Sequence, residues 1–241
     1  MRRDAPDVRN ASRARGSIEI GFGGSLIQQI SLWILPILVA VILHEVAHGA
    51  VAYTLGDDTA KRAGRLTLNP LKHIDPIGTV LLPLFLLVTH AGFVFGWAKP
   101  VPVNFAALRH PKRDMVLVAA AGPATNLLIA IAAALSFHGL YAFAAQSSPH
   151  LVNHVLEPLA VAMQGAVLAN VFLGVFNMIP IPPLDGGRVL TGLLPLPLAR
   201  RFARVERYGF AILLLLLVFH KVGVIVEQPV LMILRMLKVP F

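Results

Sequence analysis

Long apolar runs constrain this chain more than any other feature. They lie at roughly 25–55, 77–96, 115–145, 159–182 and 208–226, with a weaker run at 229–237. About 20 apolar residues in a helix cross the hydrocarbon of a bilayer. Composition agrees: the chain is 56% hydrophobic and 14% charged, against about 45–50% and 25% for a soluble domain. A disordered chain is excluded and an ordinary water-soluble enzyme is disfavoured. The expected fold is an all-α polytopic membrane protein of four to six transmembrane segments.

The 241 residues suit one membrane-embedded domain over 21–241, with its core at about 25–195, and leave no room for a second sizeable soluble domain. A basic tail, 1–20, carries Arg2, Arg3, Arg9, Arg13 and Arg15. It resembles the start of a targeting signal, but the apolar run behind it is too long for a removable one. There is no cysteine, so disulfides, thiolate metal sites and cysteine nucleophiles are ruled out.

The net charge of +9 does not point to nucleic acid. The basic residues cluster between apolar runs, without interleaved aromatics or a nucleic-acid motif. Basic loops beside spans mark a cytoplasmic face. Three such loops hold Lys61, Arg62, Arg65 and Lys72; Lys99, Arg109, Lys112 and Arg113; and Arg188, Arg200, Arg201, Arg204 and Arg207, while 146–158 holds no Lys or Arg. If all three lie inside, 77–96 enters and leaves on one face as a re-entrant hairpin, with breaks permitted at Pro83 and Gly92, and the tail falls outside. If 77–96 is a full span, the tail lies inside and the first basic loop outside.

The sharpest chemical signal is His44-Glu45-Val46-Ala47-His48 in the first run. Four helical residues turn through about 400°, which leaves the two imidazoles about 40° apart on one face. Two histidines so placed can share a zinc ion, and the intervening glutamate can act on a zinc-activated water as general base. Such residues are expensive inside a membrane and mark a functional site by default. A catalytic zinc needs a third protein ligand and an open position. Asp185 is the candidate. Pro180, Pro182 and Pro183 precede it and cannot continue a helix, and irregular backbone at membrane depth must be buried in protein or line a wet cavity. Asp-Gly is also a common turn pair. Both sides of the site lead into basic loops, so a shared depth favours the hairpin topology.

Taken together, H-E-x-x-H in an early apolar helix, Ala121-Gly122-Pro123-Ala124-Thr125-Asn126 opening a later one, and Asn177 followed by Leu184-Asp185-Gly186-Gly187 resemble the site-2 proteases, intramembrane zinc metalloproteases. Gly64–Pro70, His73–Pro76 and Gly96–Asn104 are similar to a compact bacterial branch without PDZ or CBS domains. The resemblance implies one Zn2+ per chain on His44, His48 and Asp185, in a three-helix core. It implies Glu45 as catalytic base and Asn177 as an aid to substrate or oxyanion. It also implies transmembrane protein substrates cleaved in or near their spans, in a bacterial inner membrane. Asn126 is a candidate lining residue of the substrate pocket, or a bond between helices. An unwound substrate can pair by strand addition with 179–184 or with the 96–104 region.

Other residues carry plainer readings. His73 is expected to be held by local hydrogen bonds, with a fourth-ligand role as the alternative. His90 and His138 are expected at span ends or helix contacts, and His110, His150, His154 and His220 in loops or interfaces. Trp33 and Trp97 fit interface anchors, and the 200–207 arginines a cytoplasmic face near anionic lipid. Two rival functions remain at this stage. A metal transporter predicts repeated polar sites along a path, and only one compact site is found. The transporter reading also leaves Glu45 without a task, and a non-catalytic metal-binding scaffold is disfavoured because ligands and base are all present.

Overall fold

The computed structural model describes residues 26–90, 96–219 and 221–241, with side chains from Ile34 onward. The expectations for the 1–20 tail, Gly92, His220 and the Trp33 side chain fall outside these residues. Among them every regular element is helical: α1 (Leu26–Thr54), α2 (Thr59–Arg62), α3 (Pro76–Val88), α4 (Pro111–Ala144), α5 (Pro149–Asn177), α6 (Asp185–Leu193), α7 (Leu196–Ala203), α8 (Glu206–Val218) and α9 (Lys221–Leu237).

Among the described residues three helices are long and apolar enough to cross a membrane: α1 over Ile34–Thr54, α4 and α5. Helices α8 and α9 lie at 81° to each other and make a fourth span if the bent pair counts as one. Thus the 208–226 run is divided between two helices of different direction. Helix α3 is roughly 20 Å long at 1.5 Å per residue, short of the about 30 Å hydrocarbon.

The helix starts follow from local sequence. Pro111 opens α4 at a position where its missing N–H costs nothing, and the His110 amide donates to Asp114 Oδ2 at 2.8 Å. The Ser148 hydroxyl accepts from the Leu151 amide before α5, as an N-cap should. The Asp75 carboxylate accepts from Ile77 and Gly78 at the head of α3. A wide π-type turn over Pro76–Leu81 runs up to Pro83, whose ring breaks the hydrogen-bond ladder.

Helix α4 is the central post and packs along α1, α5 and α6, while α1 also packs on α5. Small side chains line these contacts: Ala119, Ala130, Ala134 and Ala160 are all buried, the packing expected where lipid supplies no hydrophobic drive between helices. Leu35, Leu128 and Leu135 point outward, as suits a lipid-facing surface. Ala121–Asn126 does not open its helix, because Pro111 starts α4 ten residues earlier. The motif lies mid-helix, where Pro123 deprives Ala119 of a donor and loosens the turn that faces α1.

The ends of the 77–96 segment meet. The Trp97 amide donates to Gly78 O at 3.1 Å, and the Thr79 hydroxyl donates to Trp97 O at 2.8 Å. The chain therefore returns beside the point where it left, as a hairpin does. Beyond it, 97–104 runs without regular secondary structure. The Lys99 amide donates to His73 O, Arg65 donates to Lys99 O at 2.6 Å and Pro100 O at 3.2 Å, and the Asn104 amide donates to Asp57 at 2.6 Å. Burial alone would raise the Asp57 carboxyl, but bonds from the Thr59 hydroxyl and amide and from Asn104 bring it below the ordinary aspartate range.

Candidate active site

His44 and His48 lie one turn apart on α1 and face α4. Their Nε2 atoms are 3.0 Å apart, and each reaches Asp185 Oδ2, at 3.1 and 3.2 Å. All three residues are buried. His48 Nδ1 meets Val118 O at 2.7 Å. A carbonyl only accepts, so Nδ1 holds the proton and Nε2 a lone pair. His44 Nδ1 meets Asn126 Oδ1 at 2.6 Å, with the same consequence for its Nε2. Two lone pairs and a carboxylate oxygen thus converge, and Asp185 Oδ2 is buried without a hydrogen-bond partner.

Such a donor set fits a cation. Ligand atoms about 2.0–2.1 Å from a tetrahedral zinc stand about 3.3 Å apart, close to the observed triangle. Gly122 of α4 walls the triangle on one side. A β-carbon there would stand 2.7 Å from His44 Nε2 and collide with His48, so only glycine leaves room.

Asp185 reaches this depth because the 178–184 stretch folds back on the first turn of α6. β-Carbons at Gly186 and Gly187 would run into the backbone of Met178–Ile179 and Ile181–Pro182. The two glycines therefore serve close approach, beyond the turn that Asp-Gly suggests by itself.

Beside the triangle opens a cavity of about 600 Å³, lined by His44, Glu45, His48, Asn177, Asp185 and Arg188, with the 96–103 backbone across from them. Glu45 Oε2 accepts from the Val101 amide at 2.8 Å, which orients the carboxylate into the cavity. Asn177 donates to Leu173 O, one turn back in its own helix.

Of the two expectations for Asn126, a pocket lining and a bond between helices, the structure shows the second. Asn126 is fully buried, its oxygen serves His44, and its NH2 group donates to Ala40 O at 3.2 Å and Asn170 Oδ1 at 2.8 Å. With its bonding spent on protein, it ties α1, α4 and α5 together instead of lining a substrate pocket. His73 is buried and donates to Thr67 O, outside the metal-competent group. His138 donates to Leu237 O and joins α4 to α9. Trp97 lines the cavity and meets Phe210 edge-on at 5.4 Å, a wall position and not simply an interfacial anchor.

Sequence reasoning missed Gly122, Asn170 and the Val101 amide. Asn170 carried a readable signal, a polar side chain inside the apolar run 159–182. Gly122 stood inside the Ala121–Asn126 motif, but its steric role against the imidazoles did not show there, and Val101 carried no signal because it acts through its backbone amide.

The sequence profile of Peptidase family M50 matches residues 32–219. The chain belongs to this family. YwhC of Bacillus subtilis (strain 168), named as a zinc metalloprotease, is 38% identical over 185 residues, covering 77% of this chain and 79% of YwhC. Rip2 of Mycolicibacterium smegmatis, named likewise, is 30% identical over 200 residues, covering 83% and 70%. Rip2 of Mycobacterium tuberculosis (strain H37Rv) is 26% identical over 201 residues, covering 82% and 69%. No solved structure matches. This M50 metalloprotease is a membrane protein with a metal-competent group of His44, His48 and Asp185 among its buried side chains.

Proposed function

We propose that this M50 protein is an intramembrane zinc endopeptidase that hydrolyses peptide bonds in or near transmembrane segments of other membrane proteins. The observation that carries the reading is the convergence of His44, His48 and Asp185 beside Glu45 on one cavity inside apolar helices. In this reading His44, His48 and Asp185 hold one zinc ion. When bound, the ion polarises a substrate carbonyl and lowers the pKa of water to about 7.

The chain's own residues do the rest. Glu45 takes the proton of the attacking water on its carboxylate and returns it to the leaving amine. The Val101 amide holds Glu45 Oε2 in line for both transfers. Asn177, at the end of α5 on the cavity wall, donates toward the developing oxyanion with the N–H that Leu173 O leaves free. The 96–103 segment, fixed by Gly78, His73 and Arg65, offers backbone groups with which an unwound substrate can pair. The three basic loops orient the protein as a multi-pass component of the bacterial inner membrane.

The test uses full-length protein in detergent as wild type, Glu45→Gln and Asp185→Ala, with zinc counted in each and single-span peptides as probes. The expected result is one zinc per wild-type chain, retained in Glu45→Gln and lost in Asp185→Ala. Cleavage is confined to wild type, since a general base contributes roughly 10²–10⁴-fold. Cleavage by Glu45→Gln at the wild-type rate would overturn the mechanism, and a folded wild type without zinc would overturn the metal assignment.

A further inference from the structure

The polar chain behind His44 runs through three helices. Asn170 of α5 donates from Nδ2 to Ala166 O at 2.8 Å. Its Oδ1 accepts from Asn126 Nδ2 of α4 at 2.8 Å, and the same nitrogen donates to Ala40 O of α1 at 3.2 Å. Asn126 Oδ1 then faces His44 Nδ1 at 2.6 Å. Amide orientations are normally settled by their networks, and here two backbone carbonyls settle both. Ala166 O and Ala40 O accept only, so each NH2 group points to its carbonyl and each amide oxygen points onward. The chain of donors therefore ends with a proton on His44 Nδ1 and a lone pair on Nε2, aimed at Asp185. Asn126 and Asn170 are almost wholly buried, so no water competes for either amide. His48 is set separately by Val118 O, which confines the effect of the two asparagines to one histidine.

We propose that Asn126, held by Asn170, is a positioning residue that sets the tautomer and ring orientation of His44 and thereby the affinity for zinc. The inference rests on the reading that His44 is a zinc ligand. Partners in the second layer of a zinc site raise ligand basicity and fix the ring, and their loss costs roughly 10–100-fold in affinity. Asn126→Leu removes the acceptor. Asn126→Asp restores it, since a carboxyl oxygen in the same place accepts from His44 Nδ1. Asn170→Leu leaves the His44 contact but removes the shorter of the two bonds that hold Asn126.

The experiment measures zinc dissociation constants of the full chain in detergent by chelator competition, for wild type and the three variants. Thermal unfolding of the metal-free proteins runs in parallel to establish that each is folded. The expected order is Asn126→Leu weakest, by roughly 10–100-fold, then Asn170→Leu, with Asn126→Asp at wild-type affinity. Wild-type affinity in Asn126→Leu, or an Asn126→Asp as weak as Asn126→Leu, would overturn the proposal. If Asn126→Leu does not fold, Asn170→Leu decides by the same comparison with wild type. A wild type that binds no zinc is a different failure, that of the metal reading itself.

Discussion

The helical core and the Gly64–Asn104 loop close the same cavity by different physical means. In the core, α1, α4 and α6 present side chains at fixed depth, and the polar atoms divide into two layers. Those behind the metal triangle are bonded to protein, such as the amides of Asn126 and Asn170. Those facing the triangle are left open, Asp185 Oδ2 above all. Among its described residues the loop meets the cavity with the irregular 96–103 segment, held by Arg65, His73 and Asp57. The core presents an open donor set that fits a cation, and the loop holds the Glu45 carboxylate; in the proposed reading the loop also holds the peptide. Damage to one should therefore spare the function of the other.

The largest expected effect comes from Gly122→Val. Its side chain occupies the space of the two imidazoles, so zinc affinity falls by more than the roughly 10–100-fold typical of an outer-layer change. Metal analysis of the purified variant checks this, and zinc at the wild-type level would break the division between core and loop.

Arg65→Ala tests the other side. The 96–103 segment loses its bonds at Lys99 O and Pro100 O, and the Val101 amide drifts from Glu45. Small misplacements of catalytic groups cost up to roughly 100-fold. Peptide cleavage should fall by that order while zinc content stays at one per chain. Arg65→Lys should recover only part, since an ammonium lacks the planar fork of a guanidinium. Loss of zinc in Arg65→Ala would show that loop and core are not separable.

The smallest effect concerns the end of this segment. Asp57→Ala removes the acceptor of three bonds, from Thr59 N–H, Thr59 O–H and Asn104 N–H, and should cost about 1.5–3 kcal/mol in thermal unfolding. Because the folded Asp57 carboxyl titrates below its unfolded value, of about 3.9, its contribution is present in full above that range. It is lost as pH falls through the folded value. Wild type and variant should thus differ in stability at neutral pH and converge in strong acid. A difference that persists unchanged at low pH would mean that Asp57 acts by packing and not by charge.

Much of this protein was legible before any coordinates. The apolar runs dictate long helices because only an internally bonded backbone suits hydrocarbon; α1 and α4 follow them closely, whereas α5 starts at Pro149, inside the expected 146–158 loop, and ends at Asn177, before the prolines of the 159–182 run. His44, Glu45 and His48 could be read because a four-residue helical spacing places both imidazoles on one stripe whatever the neighbours do. Asp185 could be singled out because prolines before it and glycines after it announce an irregular, closely packed backbone. What the linear pattern left open depends on contacts between distant segments. It allowed 77–96 to span or to return, and the meeting of Gly78 with Trp97 shows the return. It left Asn126 between a wet pocket and a bond between helices, because an amide's role is set by the partners that surround it, here Ala40, Asn170 and His44 on two other helices. The roles of Val101 and Gly122 belong to a backbone amide and to an absent side chain. Periodicity and residue chemistry register neither, because both effects exist only where two segments approach within bonding distance.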